Sequence, residues 1–345
     1  MNSTDRIPHR KADATMEKKV RVGIIGAGFA ANMFAQSFSL VERACLAGVT
    51  SLNHDASAQF AQKYDIPHVF RNSAEMVASP QVDAIYIATH PSDHKARMME
   101  ALRAGKHVIC EKPFCLSSED AQEVFAYATQ HGLLAMEAMR GNFLPATLEL
   151  EARIKEGVIG QVRTVIAQMG MKMDPKDGKN RVFQPSVGGG CLYELGCYCV
   201  NSIMGILGTA PERLHISNTI CPTYGVDLGS TIIMEYTGGA VGVAVSSITH
   251  TIPSVLTICG TNGSITVPKF HFATSFDVVR NRRYFPDFSD VHAEHVELPY
   301  ESSNEQFEAQ AFVDAILAGK TFDEHMLPER TVGILKTIGA CLRCA

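Results

Sequence analysis

The apolar run His107-Val108-Ile109-Cys110 closes on Glu111-Lys112-Pro113, so an ammonium stands where a buried strand must end. Lysine is rarely buried without a task, and at a strand end over a pocket it can hold a substrate hydroxyl. There it would stabilise the oxyanion that builds up as hydride leaves the adjacent carbon. A second constellation is Gly188-Gly189-Gly190 followed by Cys191-Leu192-Tyr193-Glu194-Leu195-Gly196-Cys197-Tyr198. Three glycines opening a helix let backbone approach a ligand closely, and Glu194 and Tyr198, four apart, fall on one helical face. An acid and a phenol there could form a proton relay with Lys112. Taken alone, the segment reads rather as a helix with Tyr198 in the core and Glu194 in solvent; the lysine motif favours the relay.

The elements that must position these groups begin at Val22-Gly23-Ile24-Ile25, a buried first strand. It breaks into Gly26-x-Gly28-x-x-Ala31, after which Met33, Phe34, Ser37, Phe38 and Val41 recur at helical spacing. A strand turning straight into a helix aims free N–H groups and the positive dipole end at one spot, where a pyrophosphate fits. Gly26 permits the turn, Gly28 admits the phosphates, and Ala31 lets helix and strand pack closely. In this motif an acidic residue at the end of the second strand commonly binds the adenine ribose. Here that stretch is Thr50-Ser51-Leu52-Asn53-His54, with no carboxylate before Asp55. A neutral Ser51 does not repel a 2′-phosphate, and Asn53 or His54 could donate to it, so NADP is expected ahead of NAD.

From residue 20 to 140 strand and helix alternate. The strands are expected at Arg21 to Ile25, Cys45 to Thr50, Ala84 to Ala88, His107 to Cys110 and Leu133 to Met136, with helices including Ser92 to Ala104 and one opened by Ser117-x-x-Asp120. Such alternation means a doubly wound parallel sheet. After about residue 140 a helix at Leu148 to Glu156 is followed by strand-rich stretches: Gln161 to Met173, Arg213 to Thr219, Ser230 to Tyr236, Ala240 to Ile248, Val255 to Cys259 and Ser264 to Val267. Short turns between them predict a large, open, mainly antiparallel sheet. Helices are expected at Asn304 to Ala318 and Pro328 to Arg343.

The 345 residues, 46% of them hydrophobic, suffice for two cores. A net charge of -5 argues against a nucleic-acid surface. No apolar run approaches the roughly 20 residues of a membrane span. Residues 1–18 carry no apolar stretch and read as a disordered tail. Of the ten cysteines, Cys45, Cys110 and Cys259 sit in apolar strand-like runs, where cysteine acts as a small buried hydrophobe, and a reducing cytoplasm is the simpler setting. Cys341-x-x-Cys344 and Cys197-x-Cys199 lack matching second pairs, so no metal is expected.

These residues carry a resemblance. From about Lys19 to the C-terminus the chain resembles the Gfo/Idh/MocA oxidoreductases, and among them the dimeric dihydrodiol dehydrogenase and glucose-fructose oxidoreductase branch. The likeness rests on the Gly26 fingerprint, Thr89-His90-Pro91 with His94, Gly105 to Pro113, Met136-Glu137-Ala138, the Gly188 helix, and Gly260-Thr261-Asn262-Gly263-Ser264-Ile265. It implies an N-terminal Rossmann domain at 19–140 and a C-terminal α+β domain at 141–345 whose open sheet forms a homodimer, or a dimer of dimers. The implied reaction is hydride transfer between NAD(P) and a secondary alcohol or carbonyl of a sugar, cyclitol or cyclic trans-diol. The implied catalytic residues are Lys112, Glu194 and Tyr198. Implied cofactor contacts are Gly26, Gly28, Phe29, Ala30, Ser51, Asn53, Thr89, His90, His94, Glu111 and Lys112. A lysine beside a cationic nicotinamide is expected to have a lowered proton affinity. Arg181 is a candidate substrate contact or a loop ion pair. The branch usually has aspartate at Glu194 and arginine at Asn142, a candidate substrate position, with Arg140 nearby. The same fold also serves ligand sensors and redox-neutral enzymes that use transient oxidation; retention of lysine, acid and tyrosine together argues against a sensor.

Overall fold

In a computed structural model of the chain, which describes residues 19–281, 283, 289–300 and 304–344, two sheets divide the molecule. The expected tail at 1–18 lies outside the described residues.

The first sheet is parallel and has the order β2-β1-β3-β4-β5: β1 Val20–Ile25, β2 Ala44–Thr50, β3 Ala84–Ile87, β4 His107–Glu111 and β5 Ala135–Ala138. β1, β3 and β5 are almost wholly buried; β3 accordingly is an unbroken apolar run, while β1 carries Arg21 near its start and β5 buries Glu137. β2 lies at an edge, and its residue Cys45 is exposed rather than buried, because only the second half of that strand is covered. The crossovers are helices: α1 Phe29–Ser37, α2 His54–Lys63, α3 Ser73–Ala78, α4 Pro91–Arg103 and α5 Ser118–Gln130. Their starts follow local chemistry. Asn53 accepts from the Ala56 N–H, Asn72 from the Glu75 N–H and Ser117 from the Asp120 N–H, each meeting one otherwise orphaned donor. Ala121, Val124, Phe125 and Ala128 form the buried stripe of α5.

The second sheet has eight strands in the order β13-β12-β11-β10-β6-β9-β8-β7. They are β6 Val162–Gly170, β7 Arg213–Ile220, β8 Asp227–Glu235, β9 Val241–Ser247, β10 Ile252–Gly260, β11 Gly263–Pro268, β12 Ser275–Asn281 and β13 Val291–Glu297. Every pair is antiparallel except β6 with β9. Periodicity does not mark β12 and β13, since Asp277, Arg280, His292, Glu294 and His295 interrupt their apolar alternation at the sheet's edge.

Between β6 and β7 lies α7, Cys197–Leu207, which covers the inner face. The stretch Pro185–Leu207 is, by length and composition, apolar enough to cross a membrane, contrary to the sequence expectation, but 72% of its 18-residue apolar window is buried inside the fold. Helix α6, Pro145–Lys155, precedes the sheet, and α8 Glu305–Leu317 and α9 Pro328–Arg343 follow it. The last two turn back to the first half of the chain. Arg140 pairs with Glu305 of α8 at 2.7 Å, and Thr331 of α9 donates to Glu137 of β5 at 2.8 Å. All ten cysteines are free thiols.

Candidate active site

The cradle at the C-terminal end of β1 is built by what its glycines leave out. Gly26 has φ +115, and a Cβ there would stand 2.3 Å from the Ala88 carbonyl oxygen, so only glycine lets the turn pass the end of β3. A Cβ on Gly28 would meet nothing within 4 Å: the space before it is open. Gly28 is the N-cap of α1, no side chain caps that helix, and its first turn holds no acid. The leading N–H groups, with Phe29 83% exposed at their head, are therefore free for an anion, as a dinucleotide pyrophosphate requires. Next to the cradle, Ser51 Oγ donates to the Asn53 carbonyl at 2.8 Å and lies 2.7 Å from Ser57 Oγ, which shapes the turn into α2. Leu52 projects fully into solvent.

Across the sheet, Lys112 leaves β4 at a cis Lys112–Pro113 peptide bond and is held from several sides. Its Nζ donates to the main-chain carbonyl of Glu194 at 2.9 Å, lies 3.6 Å from Glu194 Oε2, and sits 5.0 Å from the centre of the Tyr198 ring. That carbonyl belongs to a π-type turn, Leu192–Gly196, that leads into α7. Glu194 Oε2 also takes a bond from Arg181 Nη2 at 2.8 Å, so Arg181 is an ion pair within the site. Burial alone would lower the Lys112 proton affinity, but Tyr198, Glu194, Cys197 and Glu111 together raise it. The chain by itself thus acts opposite to the lowering expected beside a cationic ring. Burial works to raise the Glu194 pKa, yet the charges of Lys112 and Arg181 outweigh it and the carboxyl ends below its usual range. Tyr198 is pushed up to about 12, burial prevailing over the opposing charges of Lys112 and Arg140. Its hydroxyl has no hydrogen-bond partner among the described residues.

The lysine turn is braced from behind. Glu137 Oε1 accepts from the Phe114 N–H at 3.0 Å while its Oε2 accepts from Thr331, and burial pushes this carboxyl up to about 7. His94 is fully buried, its Nδ1 2.9 Å from the Pro113 carbonyl and its Nε2 3.3 Å from the Thr89 carbonyl. It therefore bridges the two loops that flank the cleft instead of facing it, while His90, at the N-cap of α4, is exposed. Glu111 is likewise engaged, accepting from the Tyr86 hydroxyl at 2.6 Å beneath a stacked Phe34–Tyr86 pair.

Asn142 departs from its expected place at the substrate. It is buried, and its amide meets Asn201, the His325 carbonyl and Met326 sulfur, because the turn Arg140–Phe143 points it into the second core. Arg140 faces the site instead, bound to Glu305 and 4.2 Å from the centre of the Phe272 ring. Phe272 belongs to the turn Phe270–Phe272, which brings His271 to 5.8 Å from Tyr198, ring centre to ring centre. Nothing in the spacing of Lys269-Phe270-His271-Phe272 marks this histidine; only the packing of β10 and β11 brings it in.

Residues 20–139 match the oxidoreductase family with NAD-binding Rossmann fold, GFO_IDH_MocA, and residues 147–266 match the GFO/IDH/MocA C-terminal domain. The chain is 32% identical over 270 residues to trans-1,2-dihydrobenzene-1,2-diol dehydrogenase of Mus musculus, spanning 77% of this chain and 80% of the relative. It is 29% identical to scyllo-inositol 2-dehydrogenase (NADP(+)) IolU of Bacillus subtilis (strain 168), over 92% of this chain and 94% of the relative. Its fold superposes with a TM-score of 0.80 on KijD10, a 3-ketoreductase from Actinomadura kijaniata solved with NADP and TDP-benzene, at 24% identity, covering 94% of this chain and 97% of that one.

Proposed function

The chain belongs to the GFO/IDH/MocA oxidoreductase family, and from that premise we propose an NAD(P)-dependent oxidoreductase acting on a secondary alcohol or carbonyl of a sugar, cyclitol or cyclic trans-diol. The observation that carries the reading is the meeting of Lys112, Glu194 and Tyr198 at the end of β4, in the same sheet whose β1 ends in the Gly26–Gly28 cradle.

When bound, a nicotinamide cofactor would supply or accept the hydride. Lys112 binds the reacting oxygen and stabilises its negative charge, as a fixed cation does in a partly dehydrated site. Tyr198, protonated through the neutral range, gives its proton to that oxygen in reduction and recovers it in oxidation. Glu194 positions Lys112, and Arg181 keeps Glu194 ionised. Gly26, Gly28, Phe29 and Ala30 would hold the pyrophosphate, and Ser51, Asn53, Thr89 and His90 would line the remaining length of the cofactor. NADP is preferred, since the turn after β2 offers no carboxylate to repel a 2′-phosphate. The domains divide at residues 140 and 141.

The outer face of the second sheet supports a homodimer, or a dimer of dimers. Ile233, Val243, Ile166 and Thr257 lie in one row of cross-strand partners, Ile233 exposed and the other three half-buried. A reducing cytoplasm suits its cysteines.

The test is reduced-nicotinamide absorbance in both directions, with NADP and NAD against aldoses, inositols and cyclic trans-diols. Turnover by the wild type, lost in Lys112→Met while cofactor still binds, supports the reading. Cofactor bound without turnover of any of them overturns it in favour of a sensor or a redox-neutral enzyme.

A further inference from the structure

His271 stands in the site without an assigned task. It is carried by the short turn Phe270–Phe272, and that turn is tied down at several points. The Lys269 N–H donates to the Ser254 carbonyl and the Phe272 N–H to the Lys269 carbonyl, both at 2.6 Å, while the Tyr300 hydroxyl donates to the Phe272 carbonyl at 3.2 Å. Arg140 stacks on the Phe272 ring, and a Cβ placed on Gly141 would lie 3.7 Å from the His271 Cα, so the Arg140 turn and the His271 turn are in close register. The imidazole itself is oriented by Ser254, whose Oγ is 2.9 Å from Nδ1. Its other nitrogen, Nε2, has no hydrogen-bond partner among the described residues.

Burial and the facing charges of Arg140 and Lys112 push the imidazole down to about 4. At neutral pH it is therefore uncharged, with one oriented nitrogen available to donate to or accept from a hydroxyl. A site for a largely apolar ring has no use for such a group, since an unmatched polar nitrogen costs affinity when the substrate covers it.

We infer that His271 Nε2 hydrogen-bonds a second hydroxyl of the substrate, so that the site selects a polyhydroxylated ring, a cyclitol or a pyranose, over a ring lacking that hydroxyl. The inference rests on the hydride-transfer reading and narrows its substrate class. Lys112 and Tyr198 take the reacting oxygen; His271 reads a neighbouring position and enters no bond-making step.

The experiment compares wild type, His271→Phe, His271→Gln and Ser254→Ala on a polyol that the wild type turns over and on its deoxy analogues, with thermal unfolding and nucleotide-fluorescence titration as controls. His271→Phe is expected to lose about tenfold in kcat/KM on the polyol, mainly through KM, with a smaller loss on one particular deoxy analogue, so that discrimination between the two collapses. His271→Gln, which keeps a polar group at the reach of Nε2, restores part of the discrimination, and Ser254→Ala weakens it. Equal losses on all analogues, or no loss on any, would overturn the assignment; if His271→Phe fails to fold, His271→Gln and Ser254→Ala decide by the same ratio. A wild type that turns over no alcohol or carbonyl overturns the parent reading and this inference together, an outcome told apart because it appears before any variant is made.

Discussion

Lys112 grips Glu194 by its main chain: the Nζ to carbonyl distance is 2.9 Å, against 3.6 Å to the carboxylate, whose Oε2 lies 2.8 Å from Arg181. The lysine is thus positioned by the π-type turn itself, and the longer glutamate side chain reaches out to a loop arginine. Replacing Lys112 by Met removes the cation that holds the reacting oxygen. A fall in kcat/KM of about 10²–10⁴ is expected, with cofactor affinity nearly unchanged in a fluorescence titration.

Glu194→Asp leaves the main-chain contact of Lys112 in place and withdraws the carboxylate from Arg181. It should therefore cost much less than Lys112→Met. Arg181→Ala removes one of the two charges that hold the Glu194 pKa down, so if ionised Glu194 supports the reaction the acid limb of the kcat/KM profile moves to higher pH. A limb that stays where it was in the variant would separate Glu194 from the catalytic titration.

Tyr198→Phe keeps the ring beside Lys112 and deletes only the hydroxyl. Carbonyl reduction should slow by about 10² or more, the scale of one positioned proton donor. Because the phenol is pushed up to about 12, it stays protonated well beyond neutrality, and the wild-type reduction rate should show no basic limb from this group between pH 6 and 9. Stopped-flow rates across that range check both statements.

Glu137 links pH to stability. Its folded pKa is raised to about 7 from 4.5, so its contribution is fully present below pH 4.5 and is lost as pH rises through 7. Glu137→Gln should flatten the pH dependence of unfolding in that window relative to wild type, by at most about 3 kcal/mol. Chemical denaturation at several pH values measures the difference between the two curves.

Ser51→Asp places a carboxylate at the turn after β2, where an acidic side chain pairs with ribose hydroxyls and repels a 2′-phosphate. The ratio of NADPH to NADH dissociation constants should shift toward NADH by about 10². An unchanged ratio would remove this turn from cofactor selection.

Much of this protein was legible along the chain, because its first half obeys local rules. The apolar runs within β1, β3 and β4, the Gly26 turn, the Ser117 cap and the stripe of α5 each follow from a few neighbouring residues, and parallel pairing follows from their alternation with helices. Lys112 stands out because a buried strand would not close on Glu-Lys-Pro, whereas Glu194 and Tyr198 gain meaning only beside it, their own segment reading as an ordinary helix. What the tertiary structure alone decided are the relations between distant segments. Whether Lys112 met the carboxylate or the carbonyl of Glu194, whether Arg181 joined them, and whether Asn142 or Arg140 faced the cleft depend on how two sheets and a π-type turn pack, which spacing does not encode. His271 is the clearest case. It comes to Tyr198 from a turn after β11, 73 positions along the chain, and only the pairing of β10 with β11 and the Arg140–Phe272 contact carry it there.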